Sequence, residues 1–374
     1  IESRIVVGTS TTATVTLSGS SGITEAIEVD IASSNSAIMS ESPLICNLTT
    51  ESNSCMVALT GESAGNATFT ASASNYESVT SATLNIYQQY AYITSYADDG
   101  NSYIQCIVNP SGIMESTCQK ITPSGAGTLL YPSGIAINGA WAYIINNGTS
   151  SYTQCSIGAS GIESATCRTI TPEGSGALNS PSGIAIDGAW AYITNTNGSY
   201  TQCSVNESGI ESATCQTVTP SAPGALVSPY GIAVNGAWAY ITNTNNAYTQ
   251  CSVSESGIES ATCLTITPSG IGTLGTPQGI TISGAWAYII NYSGSYTQCS
   301  VSESGIESAS CVTISAGAAT NPFGIAINGA WAYITSYDGS GYTQCSVSAS
   351  GIESATCQTT TSSIIRNPYG IVIH

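Results

Sequence analysis

From residue 89 onward, apolar and polar positions alternate in short runs that recur with one period. In one full copy, Gly231–Val234 is a short apolar run, Asn235-Gly236 follows, and Trp238–Thr242, Tyr248–Val253 and Ala261–Ile266 are further alternating runs. Runs of this length and period, bounded by turn residues, predict β-strands. Asn-Gly favours a type I′ turn, because both turn positions need positive φ. Each copy therefore predicts four antiparallel strands, a to d, with Ser256-Gly257 turning between c and d. Pro268 and Pro277 bracket the loop to the next strand a. The tryptophans Trp141, Trp190, Trp238, Trp286 and Trp331 mark the copies at spacings of 49, 48, 48 and 45, and Tyr90 takes the Trp place in the first copy. Six four-stranded units of 40–50 residues predict a six-bladed β-propeller over residues 89–374. The array begins with strands b, c and d (residues 90–121) and ends with a lone strand a, Gly370–Ile373, before His374. Pairing of these two ends would complete one blade and close the ring.

Residues 1–88 lack the repeat. Alternating runs at Arg4–Val7, Ala13–Leu17, Ile27–Ile31, Cys55–Leu59, Ala67–Ala73 and Ala82–Ile86 predict short strands and no helix. About seven strands in such a length suit an immunoglobulin-like β-sandwich. The stretch Leu59-Thr-Gly-Glu-Ser-Ala-Gly-Asn-Ala-Thr-Phe-Thr-Ala resembles the late strands of bacterial Ig-like domains, which occur in surface and secreted proteins. The whole chain thus reads as all-β.

Cysteine usage adds covalent constraints. Six pairs share a spacing of 12: Cys106–Cys118, Cys155–Cys167, Cys203–Cys215, Cys251–Cys263, Cys299–Cys311 and Cys345–Cys357. A seventh, Cys46–Cys55, encloses a polar loop and is expected to staple a local hairpin. Isolated two-ligand sets with one histidine in the chain are poor metal sites. Disulfides are expected instead, across the c–d hairpins, and they imply an oxidising compartment.

Composition narrows the function classes. Of 374 residues only 7 % are charged, and the net charge of −18 comes from 22 acids against Arg4, Lys120, Arg168 and Arg366. Four scattered cations exclude a nucleic-acid footprint. No run approaches the roughly 20 apolar residues of a membrane helix. The chain starts at Ile1, and a mature secreted or cell-surface form with its export signal removed is the expectation.

The array resembles propellers with Tyr-Val-Thr-Asn repeats, which are grouped with NHL-type propellers. The matching residues are Tyr192-Ile-Thr-Asn195 and Tyr240-Ile-Thr-Asn243, with looser copies at Tyr92, Tyr143, Tyr288 and Tyr333, and a Pro-x-Gly-Ile-Ala lead-in as at Pro181–Ala185. That family spans lactonase-like enzymes, surface-layer proteins and binding modules, so the resemblance implies fold rather than activity.

Candidate chemistry is sparse. Glu163, Glu211, Glu259, Glu307 and Glu353 occupy one repeated turn position, with Glu115 related in the first copy. Equivalent environments do not separate an acid from a base, so these read as solvated turn acids. Asp98-Asp99-Gly100-Asn101 lacks the ligand alternation of a calcium loop, and His374 has no motif partner. No catalytic, cofactor or metal residue is therefore expected. The repeated Trp reads as packing between blades, against the rival reading of a sugar-stacking ring. Loop lengths vary on the face of the b–c and d–a loops, where Asp98, Asp99, Asn147, Asn197, Asn245, Tyr292 and Asp338 are candidate ligand contacts.

The favoured expectation is an extracellular, non-catalytic structural or adhesive protein. It self-associates head-to-tail into a fibre or layer, with Ile1, Ile5 and Val7 donating a strand to a neighbour. The alternative is a glycan- or ligand-binding propeller, and a lactonase- or lyase-like enzyme stands behind both.

Overall fold

The computed structural model describes residues 4–18, 23–96, 101–317 and 319–374. It divides into two compact units: residues 1–89 with 107–114, and residues 90–106 with 115–374. The sequence placed the boundary at 88/89. The observed break falls one residue later and assigns 107–114 to the first unit.

Among the described residues, ten strands build the body of the first unit: β1 (Arg4–Val6), β2 (Ser10–Thr16), β3 (Ile27–Ser33), β4 (Met39–Ser42), β5 (Ile45–Leu48), β6 (Ser54–Gly61), β7 (Gly65–Ala67), β8 (Phe69–Ser72), β9 (Val79–Thr80) and β10 (Leu84–Tyr87). The sheet orders are β2-β6-β4, β1-β10-β7 and β5-β3-β8-β9. One residue separates β7 from β8, so the last two sheets run on from each other. Alternation decides what is buried: Ile5, Ala13, Val29, Ile31, Val57, Leu59, Phe69, Leu84 and Ile86 form one core.

Two expectations change here. Ile5 is only 3 % exposed and Val7 packs against the same core, while β1 pairs in parallel with β10. These residues bury apolar surface inside their own unit, where it is stabilised, and are not free to leave as a donated strand. Ile1 lies outside the described residues. Cys46 sits on β5, which pairs with β3, and Cys55 sits on β6, which pairs with β2 and β4. Their disulfide therefore joins two sheets and staples no hairpin. Strands β5 and β6 are consecutive in sequence, but each is paired by a different partner.

The second unit is a ring of six sheets. In blade 4, strand a is Pro229–Asn235, b is Trp238–Asn243, c is Ala247–Ser254 and d is Leu264–Ile266. Between c and d the chain makes a small extra pairing at Gly257–Ile258 and one 3-10 turn at Ser260–Thr262. The repeat pattern had shown only a turn there. The other strands a are Pro132–Asn138, Pro181–Asp187, Pro277–Ser283, Pro322–Asn328 and, from the C-terminus, Pro368–Ile373. That last strand pairs with Gln89–Ser95, with Tyr92 opposite Val372 and Ile93 opposite Ile371. The two ends of the repeat array thus complete blade 1, and the ring closes as the sequence implied. This is a β-propeller of six blades, with each strand a beside the next around the axis.

Repeated residues hold the ring. A tyrosine pair from each blade is fully buried against the next, among them Tyr143 with Tyr152 and Tyr240 with Tyr248. The Asn of Tyr-Ile-Thr-Asn is also fully buried. Asn243 Oδ1 accepts from Val227 N (3.0 Å) and its Nδ2 donates to Thr249 Oγ1 (2.9 Å), which ties the d–a loop to strand c. Six disulfides link strands c to the start of strands d at Cα–Cα of 4.1 Å, from Cys106–Cys118 to Cys345–Cys357.

Candidate functional site

The copies differ most where strand a begins and where strand b ends, and the fold brings those positions to one mouth of the central channel. Each strand a is entered through a residue with positive φ: Tyr131 (49°), Ser180 (43°), Ser228 (41°), Thr276 (48°), Asn321 (47°) and Asn367 (42°). Such a conformation is uncommon outside glycine. It is held by a hydrogen bond from the residue after strand b, as in Asn147 N to Tyr131 O (3.2 Å), Tyr292 N to Thr276 O (3.2 Å) and Tyr337 N to Asn321 O (3.2 Å). The proline follows, and then the variable position of Pro-x-Gly: Ser133, Ser182, Tyr230, Gln278, Phe323 and Tyr369.

The glycine after it sets how closely these six residues approach. A Cβ on Gly231 would stand 2.5 Å from Gln278 O, and one on Gly134 would stand 2.6 Å from Ser182 O. The same contact is made around the ring, to Gly370 against Ser133 O at 2.5 Å. Thr242 Oγ1 donates to Gln278 O (2.5 Å) and Thr194 Oγ1 to Tyr230 O (2.6 Å), which locks successive blades together at this level.

Seven aromatic rings then meet across the mouth. Phe323 and Tyr369 lie with centroids 4.2 Å apart, and Tyr96 stacks on Tyr369 at 5.5 Å. Tyr337 and Tyr292 approach Phe323 at 5.3 and 5.5 Å, Tyr230 at 6.4 Å, and Tyr131 lies 5.2 Å from Tyr96. Tyr369 reaches across the axis, its hydroxyl 3.4 Å from Ser182 Oγ two blades away. Burial raises the Tyr369 phenol well above its ordinary value, with the Tyr230, Tyr96 and Tyr337 phenols adding to the effect. Burial likewise raises Tyr230 and Tyr96. Tyr131 and Tyr292 are the most open to solvent, at 44 % and 37 %.

Of the candidate contacts read from sequence, Tyr292 belongs to this cluster, and Asn147 joins it through Tyr96, whose hydroxyl donates to Asn147 Oδ1 (3.4 Å). Asp338 follows Tyr337 and accepts from Asn321 Nδ2. Asn197 and Asn245 are exposed in the b–c turns of blades 3 and 4 and are not brought to the cluster. Asn197 Oδ1 is used locally by Ser199 Oγ. Asp98 and Asp99 lie outside the described residues. Sequence reading missed Tyr96, Tyr131, Tyr230, Phe323, Tyr337 and Tyr369. The signal for three of them was the aromatic substitution at x of Pro-x-Gly in an otherwise constant lead-in.

The repeated chemistry is accounted for elsewhere. The Trp side chains stand at the start of strand b, on the opposite face, and donate to the next blade: Trp141 Nε1 to Glu207 O (2.8 Å) and Trp238 Nε1 to Glu303 O (2.8 Å). Packing between blades accounts for this use of the Trp side chains better than a sugar-stacking ring does. The turn glutamates serve their own loops, with Glu211 accepting from Ser204 Oγ (2.6 Å) and Asn206 Nδ2 (2.6 Å). Among the described residues, no group of three or more His, Cys, Asp or Glu is placed to hold a metal ion. No helix among them is long and apolar enough to cross a membrane.

No protein-family model matches the chain, and no curated protein matches it. Solved structures match it in fold. A chain of the nidogen/laminin complex aligns at TM-score 0.57 and 15 % identity, covering 76 % of this chain and 98 % of that one. A protein from Lactobacillus plantarum aligns at 0.51 and 12 %, covering 83 % and 96 %. A putative 6-phosphogluconolactonase from Bacteroides uniformis aligns at 0.50 and 16 %, covering 73 % and 83 %. At these identities the likeness is one of fold.

Proposed function

We propose that the propeller is an extracellular recognition module that binds its ligand at the aromatic mouth of the channel, without catalysis. The observation that carries this reading is the meeting of seven aromatic rings from five blades, all at positions where the copies differ. Partly exposed tyrosines offer a large, rigid contact area at little entropic cost. A catalytic mouth needs ionisable groups with unlike pKa values facing one reacting atom, and here the axis is occupied by Tyr369, Phe323 and Tyr230. Two fold neighbours are named as putative 6-phosphogluconolactonases, and at 16 % and 13 % identity that likeness is one of fold alone. Seven disulfides support an oxidising, extracellular setting. In the first unit, the parallel pairing of β1 with β10 and a single core shared by its three sheets support the Ig-like reading.

The test is a thermal-shift screen of the intact protein against sugars, sugar phosphates, lactones and peptides, with every hit retested on Tyr96→Ala and Tyr337→Ala. A hit that loses at least ten-fold in affinity in both variants supports the reading. Hits that bind both variants as tightly as the parent sink it, as does turnover of a lactone at a rate the variants leave unchanged.

One observation favours a second role in self-association. Strand β5 is a sheet edge, and Leu44 and Ile45 beside and on it are 62 % and 47 % exposed. Apolar edge strands template pairing with another chain. Sedimentation of the parent against Ile45→Lys tests this: a concentration-dependent oligomer lost in the variant supports it, and a monomer at high concentration removes it.

A further inference from the structure

The mouth is not uniform. In blades 5, 6 and 1 the residue after strand b is Tyr292, Tyr337 and Tyr96, whereas in blades 2, 3 and 4 it is Asn147, Thr196 and Thr244. The inner position follows the same division in part, with Phe323 and Tyr369 on one side and Ser133 and Ser182 on the other. One side of the mouth thus carries most of the ring faces and edges, and the other carries the hydroxyls and amides of Asn147, Thr196 and Thr244 beside Tyr131 and Tyr230.

Gln278 supplies a second, independent observation. It holds the inner position of blade 5, between Tyr230 of blade 4 and Phe323 of blade 6. It is 3 % exposed, and its Nε2 donates to Thr276 O (3.0 Å). Its Oε1 is buried and accepts no hydrogen bond from the protein. A buried acceptor left without a donor costs free energy, so the same amide gains on meeting a hydroxyl or N–H brought to the mouth.

Resting on the recognition reading above, we infer that the ligand of this mouth is a neutral carbohydrate chain. One sugar ring lies against the Tyr96, Tyr337 and Phe323 side while its hydroxyls meet Gln278 and the polar rim of blades 2 to 4. A pyranose combines a flat face of C–H groups with a girdle of hydroxyls, and it is the ligand chemistry that uses both halves at once. A hydrocarbon would leave Gln278 Oε1 and the Thr196 side without partners. An anionic ligand would meet one nearby cation, Arg366, whose Nε is turned to Ser363 O (3.2 Å), and would lie close to the Asp338 carboxylate. Neutral sugars carry no charge to be desolvated against either group.

The experiment is calorimetric titration of the intact protein with cello-, manno- and xylo-oligosaccharides. A galacturonate oligomer serves as the anionic comparison and a proline-rich peptide as the non-sugar one. Millimolar or tighter binding of at least one neutral oligosaccharide is expected, weakened at least ten-fold by Tyr337→Ala and by Gln278→Leu. The Gln278→Leu protein should melt no lower than the parent, since it removes an unpaired buried acceptor. A purely structural Gln278 would leave binding unchanged. Tyr76→Ala, in the first unit, should leave binding as it is. Tight binding of the peptide or the galacturonate in place of the neutral sugars, with sensitivity to Tyr337→Ala, overturns the carbohydrate class and leaves the recognition reading standing. Binding of nothing in the set that Tyr337→Ala weakens overturns the carbohydrate class, and the broader screen above then decides the recognition reading separately.

Discussion

Replacing Gly231 by alanine should destabilise the propeller by about 3 kcal/mol, near the upper end for overpacking. The added Cβ would stand 2.5 Å from Gln278 O and 3.0 Å from both Gly279 Cα and Ile280 N. All three are backbone atoms of the next blade, so no side-chain rotation relieves the clash. Retreat of blade 5 is resisted by the closed ring and by the Thr242 hydrogen bond to that same carbonyl. The φ of Gly231 is not in the left-handed region, so alanine there has no backbone strain of its own. Without the close approach it would stabilise by about 0.4–1 kcal/mol through the unfolded chain. Gly236→Ala is the matched comparison: its φ is +57° and nothing lies within 4 Å of the added Cβ, so only left-handed strain of about 1–2 kcal/mol applies. The assay is equilibrium unfolding in urea with the disulfides intact, followed by tryptophan fluorescence. All five tryptophans lie in the propeller, so the transition reports on the ring. The expected order of stability is parent, then Gly236→Ala, then Gly231→Ala. A Gly231→Ala protein as stable as the parent, or more so, would refute the close-approach argument. The same substitution pushes Gln278 and Tyr230 apart, so any ligand of the mouth should bind the variant more weakly.

Two other outcomes follow from the blades. Removing one bridge with Cys251→Ser and Cys263→Ser opens a link closing 12 residues and should cost about 2–4 kcal/mol. It is read as a lower urea midpoint and faster amide exchange in Leu264–Ile266, and an unchanged midpoint would show the bridge to be redundant. Raising the pH should unfold the ring cooperatively, because burial pushes the Tyr143, Tyr240 and Tyr288 phenols up to about 12. Their folded values exceed the unfolded value of about 10, so their contribution is whole below pH 10 and is lost as pH rises through 12. Phenolate absorbance rising together with the loss of tryptophan signal is the expected result, and ionisation while the ring stays folded would contradict it.

The repeat made most of the propeller legible from sequence alone. Strand alternation, the Asn-Gly turns and the Trp spacing determine a blade, because each depends on residues near one another in the chain. Closure was legible too, since the array starts without a strand a and ends on one. The 12-residue cysteine spacing places both sulfurs opposite across one hairpin, again a local matter. The Trp and Glu positions read as structural, and their hydrogen bonds to the next blade and to their own loops fit that reading.

What only the tertiary structure decided was which residues meet. Phe323 and Tyr369 are 46 positions apart and Tyr96 stands far from both, so no window of sequence joins them. Ring geometry brings them together because strand a is innermost and its glycines let neighbouring backbones nearly touch. The first unit teaches the same lesson: β5 and β6 look like a hairpin joined by Cys46–Cys55, but each pairs with strands elsewhere, and the bridge crosses between sheets. Local patterning determines elements and their turns. Contact between elements depends on which partner buries the most surface, and that is settled only when the whole chain has closed on itself.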